Sequence, residues 1–256
     1  MTKEIINQHY DAHLYNVMLE EYFEGSDYAN FGYWTEGERS AKQACNNLME
    51  KLLAFIPDKN GSILDVACGK GATTRYLSKY FAKTRITAIN ISEKQLKTAK
   101  QNAAGVDFLI MDAADLAFED NSFDHIICVE AVFHFYTRER FFQEALRVLK
   151  PGGHIVLSDV LFKDGAEKKM RSFHEENYLM DQCSYESLWK KVGFRRGEII
   201  NATNECWQGH FWNVVKFIHS KYLRHEINLE TAKKALDVTY RITPDLESYL
   251  LVCLQK

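Results

Sequence analysis

The stretch ILDVACGKGATTRYL (63–77) constrains the fold more than any other part of the chain. Ile63, Leu64, Val66 and Ala67 read as a short buried strand, and Gly69 and Gly71 punctuate it. Tyr76, Leu77, Tyr80 and Phe81 then recur at helical spacing. Strand, glycine turn and helix in that order form a cradle of the nucleotide-binding type. The glycines let backbone approach a ligand, and the first turn of the helix presents N–H groups to it.

The same rhythm continues downstream. RITAI (85–89) reads as a second strand, and SEKQLKTAKQN as a helix, with Ser92 as N-cap and Gln95 as its capping-box partner. VDFLIM (106–111), DHIICVE (124–130) and PGGHIVLSDV (151–160) read as strands three to five, with a helix over RERFFQEALRVL (138–149). Alternating strands and helices imply an α/β fold, a Rossmann-like, doubly wound, mostly parallel sheet. Before it, Ile5 to Phe23 and Ser40 to Ile56 read as helices, the second with Ala44, Leu48, Leu52 and Phe55 on one side. After Leu161 a helix over 184–194 and strands over EIINATNECW (198–207) and YLLVCLQK (249–256) bring the sheet to seven strands. Two helices, roughly 211–222 and 229–240, fall before the last strand and read as a cap over a pocket. The expected division is an N-terminal helical lid (1–60), a cradle-bearing core (61–160) and substrate-side elements (161–256), all within one globular unit.

Composition excludes several function classes. The 256 residues are 46% hydrophobic, enough for one sizeable core, and the net charge of −3 offers no nucleic-acid surface. No run reaches the roughly 18 apolar residues of a membrane span, and MTKEIINQHY has no apolar core of a leader peptide. The six cysteines, at 45, 68, 128, 183, 206 and 253, show no CxxC pair and no metal spacing. Reduced thiols, a cytoplasmic location and no metal are therefore expected.

The ligand of the cradle follows from spacing. A dinucleotide turn reads G-x-G-x-x-G with an acid about 20 positions on. Here Thr74 stands where the third glycine belongs. The pattern that fits is D-x-A-x-G-x-G, with Asp65, Ala67, Gly69 and Gly71. In it the chain resembles the class I S-adenosylmethionine (SAM) methyltransferases. MDAADL (111–116), FEDNSFDHIICVEAVFHF and ALRVLKPGGHIVLSD extend the resemblance from Ile63 to about Val160. It implies SAM as cofactor and S-adenosylhomocysteine as product. Asp65 would bind the methionyl ammonium, Asp112 and the Ala113 N–H the adenine, and Glu130 the methionyl part or the sheet edge. The second strand of these enzymes usually ends in an acid that takes both ribose hydroxyls. Here it ends in Asn90, which accepts from one hydroxyl and donates to the other, beside Ile91 and with Gln95 as a further contact. FGYW (31–34) implies a segment folded over the cofactor, with Tyr33 on the SAM carboxylate.

The acceptor is read from one histidine. An alcohol is a poor nucleophile until a general base draws off its proton. His134 in VEAVFHFYT, just past strand four, is the candidate base, and Asp159, ending strand five, is its expected orienting carboxylate. The arrangement resembles small-molecule O-methyltransferases of bacterial natural-product pathways, sugar and microcystin-type O-methyltransferases among them, which implies a small hydroxylated partner. Carbon methylation of a sterol- or quinone-like acceptor stays open, as does a non-catalytic SAM-binding module. Arsenite methylation would need Cys68, Cys183 and Cys206 to converge.

Overall fold

The computed structural model describes Asp11 and residues 14–166, 175–242 and 245–256. The first expected helix, from Ile5, lies partly outside them; its described part is α1 (Val17–Tyr22), capped by Asn16.

Seven strands form one sheet in the order β3-β2-β1-β4-β5-β7-β6. β1 (Ile63–Val66) lies between β2 (Ile86–Asn90) and β4 (Phe123–Val129), parallel to both. β3 (Asp107–Ile110) extends the parallel set beyond β2, and β5 (Leu149–Phe162) beyond β4. β7 (Leu246–Gln255) runs antiparallel between β5 and β6 (Arg196–Asn201). Every residue of β1 is buried, as helices cover both faces of the sheet. Residues after 160 thus complete the same sheet that residues 61–160 begin.

One face packs on α2 (Ala41–Ala54), whose Ala44, Leu48 and Leu52 are buried at helical spacing. The other packs on α5 (Arg138–Val148) and α6 (Gln182–Val192) through Phe141, Phe142, Tyr185 and Trp189. Each such large apolar side chain contributes about 1.5–3 kcal/mol on burial. The cradle helix α3 (Ala72–Leu77) crosses α4 (Glu93–Asn102) at Gly71. A Cβ there would lie 2.8 Å from the Ala99 Cα, and φ is +82°, so only glycine fits both demands. Gly71 therefore packs two helices and does not line the cavity described below.

Two expectations change. The strand expected over 198–207 ends at Asn201, whose Oδ1 accepts from the Thr203 N–H and hydroxyl, closing a turn. A π-turn (Asn204–Gln208) follows and drives Cys206 and Trp207 into the core. The late helices α7 (Gly209–Leu223) and α8 (Leu229–Ile242) take their expected place before β7. They pack behind the N-terminal segment, where Gly209 abuts the Trp34 ring, and no described residue of either lines the main cavity.

Candidate functional site

The site lies where strand order reverses, at the carboxyl ends of β1 and β4. Ala67 (φ +58°) and Glu130 (φ +55°) turn both chains away in the left-handed region and open a crevice. The cavity there measures about 1270 Å³ out to its open mouth. Ala67, Gly69, Asn90, Ile91, Gln95, Asp112, Ala113, Glu130 and His134 all line it. Sequence-predicted residues from four strand ends thus meet around one space. Asp65, Gly71, Tyr33 and Asp159 do not.

Asp65 stands behind the wall. Its Oδ2 accepts from the Thr73 hydroxyl at 2.9 Å and the Thr74 hydroxyl at 2.6 Å. Burial pushes its carboxyl up to about 6, and the two hydroxyls hold it back. It ties the turn to the start of α3 from behind the cavity wall. Thr74, in the place of a third glycine, supplies one of those hydroxyls. A Cβ at Gly69 would meet no atom within 4 Å, so this position faces open space where a side chain would intrude on a ligand.

At the end of β2, Asn90 donates through Nδ2 to Gln95 Oε1 at 2.8 Å, and its Oδ1 accepts from the Ile91 N–H at 2.9 Å. Past β3, Asp112 Oδ1 accepts from the Ala114 N–H at 2.9 Å, which fixes the carboxylate at the cavity wall. These are acceptors suited to a ribose and an exocyclic amine. Residues 27–30, together with Leu14, line the cavity from the N-terminal side. Asp27 pairs with Lys70 at 2.6 Å, and Glu130 Oε2 accepts from the Phe31 N–H at 2.9 Å. The FGYW stretch itself does not line the cavity; Tyr28 and Asn30, just before it, do. Tyr33 is turned away beneath Lys51, 4.8 Å from its ring centroid, because Gly32 is pressed against Ala44 and sets the chain direction. Sequence reasoning missed Asp27 and Lys70; Lys70 lies inside the glycine turn already singled out, whereas Asp27 stands four residues before FGYW and carried no local signal.

His134 sits on the short 3₁₀ turn Val132–His134, 8% exposed, its ring centroid 3.9 Å from that of Phe133. Asp159 is not its partner. Asp159 is wholly buried, with Arg138 Nε at 2.8 Å and Nη2 at 3.2 Å, the Tyr185 hydroxyl at 3.0 Å and the Val160 N–H at 2.8 Å. A guanidinium fork satisfies both oxygens, so the carboxylate has turned to it. Arg138 also binds Asn177, whose Nδ2 donates to the Phe133 and Phe135 carbonyls that flank His134. Asp159 thus steadies the His134 turn at two removes.

Among the described residues no group of three or more His, Cys, Asp or Glu is placed to hold a metal, and no helix is long and apolar enough to cross a membrane. Cys68, Cys183 and Cys206, all among the described residues, form no such group.

Residues 64–157 match the family described as a methyltransferase domain. In solved structures, the [4+2]-cyclase SpnF superposes with a TM-score of 0.75 at 22% identity, covering 98% of this chain and 95% of that one. The geranyl diphosphate C-methyltransferase of Streptomyces coelicolor A3(2), solved with S-adenosylhomocysteine, gives 0.68 at 15% identity, covering 98% and 96%. The fold is the Rossmann-like methyltransferase fold. Among curated proteins, the 27-O-demethylrifamycin SV methyltransferase of Amycolatopsis mediterranei (strain S699) is 34% identical over 137 residues. That match takes in 51% of this chain and 50% of the relative, so the chain spans about half the length of the curated relatives it matches.

Proposed function

We propose that this chain is a SAM-dependent methyltransferase acting on a hydroxyl of a small molecule. The observation that carries the reading is the convergence of Gly69, Asn90, Asp112 and His134, from four strand ends, on one cavity. When bound, SAM supplies a methyl already activated by the sulfonium, which leaves as S-adenosylhomocysteine. The residues named hold the adenine edge (Asp112, Ala113), the ribose (Asn90, Gln95) and the methionyl end (Ala67, Gly69, Glu130). His134 receives the proton that the acceptor hydroxyl loses as its oxygen bonds the methyl carbon. The Phe133 ring against His134 and the enclosing segment 27–30 keep water from competing. The relative's printed name, a 27-O-demethylrifamycin SV methyltransferase, supports an oxygen acceptor.

The test pairs binding with turnover. S-adenosylhomocysteine should bind in calorimetry and a nicotinamide dinucleotide should not. With a hydroxylated acceptor found from a metabolite panel, His134→Ala should lower kcat by roughly 10²- to 10⁴-fold at nearly unchanged S-adenosylhomocysteine affinity. Full kcat in the folded variant would move the reading to carbon or nitrogen methylation, which needs no strong base.

A further inference from the structure

The acid expected at the end of β2 is absent, yet a carboxylate reaches that place from the N-terminal segment. Asp11 Oδ1 accepts from the Ser92 hydroxyl at 2.9 Å and from Gln95 Nε2 at 2.8 Å. Gln95 Oε1 accepts from Asn90 Nδ2 at 2.8 Å, and the Gly69 carbonyl lies 3.5 Å from the same nitrogen. Asn90 Oδ1 accepts from the Ile91 N–H at 2.9 Å. Asn90, Ile91 and Gln95 line the cavity, and Asp11 stands behind Gln95. The segment bearing Asp11 is anchored separately, by the Tyr15 hydroxyl on Thr98 Oγ1 at 2.9 Å and on the Lys94 carbonyl at 3.2 Å, both of α4.

The order of donors in this chain follows from one fact: a carboxylate only accepts. Gln95 must turn its NH₂ to Asp11 and so its oxygen to Asn90. Asn90 must then turn its own NH₂ to Gln95, which leaves Oδ1 on the side of the Ile91 N–H. That oxygen has a second lone pair beyond the one Ile91 uses. The Ile91 N–H and the Gly69 carbonyl oppose reversal of Asn90 from one side, and the Asp11 charge opposes it from the other; without that charge Gln95 can reverse, and Asn90 must then give up either its bond to Gln95 or its place on the Ile91 N–H. A bonded chain running toward an anion is also polarised along its length.

We propose that Asp11 is a positioning residue for cofactor recognition: through Gln95 it fixes Asn90 as an acceptor for a ribose hydroxyl, in place of a carboxylate on β2. This rests on the reading of the cavity as a SAM site. The occupant it selects presents a hydroxyl donor to Asn90 Oδ1.

The test is calorimetry with S-adenosylhomocysteine and with its 2′-deoxy and 3′-deoxy analogues. Asp11→Asn should weaken the parent compound about tenfold, the scale of one lost hydrogen bond to a fixed group. The analogue lacking the hydroxyl that meets Asn90 should weaken far less, so discrimination between it and the parent contracts. Adding Asn90→Asp to Asp11→Asn should restore both affinity and discrimination, since a carboxylate has no reversed orientation. Equal weakening of the parent and both analogues would mean that Asp11 only docks its segment, and would overturn the proposal. So would unchanged binding in Asp11→Asn. Failure of the unsubstituted protein to bind S-adenosylhomocysteine would instead overturn the SAM reading, and this inference with it.

Discussion

Two enclosed carboxylates sit side by side on neighbouring strands and are treated in opposite ways. Glu130, at the end of β4, donates its N–H to the Ser158 carbonyl of β5, and Asp159 is the next residue. Asp159 turns to the layer of Tyr185 and meets the Arg138 guanidinium. Glu130 turns to the layer of Phe31 and Tyr249, where it meets two neutral donors, the Phe31 N–H and the Tyr249 hydroxyl, each at 2.9 Å. Burial pushes the Glu130 carboxyl up to about 8, and those two bonds only partly oppose it. Both bonds fall on Oε2, so a proton on Oε1 breaks neither. The buried cation thus goes to the joint that holds the His134 turn, and the uncompensated carboxyl is left at the cavity wall. A strand end that needs rigidity is given a complete ion pair. One that faces the cavity keeps a group whose charge can change.

The largest effect is expected at the ion pair. Asp159→Ala leaves the Arg138 guanidinium buried without its counter-charge, which should cost about 3–5 kcal/mol in denaturant unfolding. Loss of the pair should also loosen Asn177 and with it the His134 turn, so turnover should fall further than cofactor binding. A cost below about 1 kcal/mol would show that the pair is no more than a surface-like contact, and the contrast with Glu130 would collapse.

The second effect is a matter of pH. A raised folded-state value means that Glu130 contributes stability in full below its ordinary 4.5 and loses it as pH rises through about 8. Across that window the folded protein holds a proton that the unfolded chain has released. Glu130→Gln keeps an acceptor for Phe31 and Tyr249 and removes the titration. The variant should therefore gain on the unsubstituted protein as pH rises from 5 to 9, by at most about 1.4 kcal/mol per pH unit. A difference that stays constant over that range in parallel unfolding curves would show that Glu130 ionises normally.

This contrast was only half legible in the sequence. The alternation of strands and helices could be read because strands buried on both faces appear as unbroken apolar runs, as in ILDVA. Residues at strand ends converge by the geometry of a parallel sheet, which is why Asn90, Asp112, Glu130 and His134 could be placed at one edge. Which way Asp159 points was hidden for the same reason: β5 is buried continuously from Ile155 to Phe162, so no polar alternation marks its two faces. Its partner Arg138 looked like an ordinary first residue of an amphipathic helix. Tyr28 and Asn30, which line the cavity, stand just before the aromatic run that pointed to Tyr33, and that run carries no sign of the Gly32–Ala44 contact that directs it. Asp11 meets Gln95 across 84 residues, and no local pattern spans that distance.

The smallest effect isolates a single bond of the pair left without a cation. Tyr249→Phe keeps a ring in a fully buried site and removes only the hydroxyl that donates to Glu130 Oε2. That bond favours the ionised carboxylate, so its loss should raise the Glu130 value further, and the midpoint of the pH dependence should move up with it. Below about pH 5 the carboxyl is already protonated, and the cost should be near 0.5–1 kcal/mol, that of a neutral hydrogen bond. Above pH 8 the carboxylate loses one of two donors while charged, and the cost should grow to about 1.5–3 kcal/mol. Unfolding at pH 5 and pH 9 reads both numbers on one variant. Equal costs at the two pH values would mean that the hydroxyl never sees the charge, and that Glu130 is held at the cavity wall by Phe31 alone.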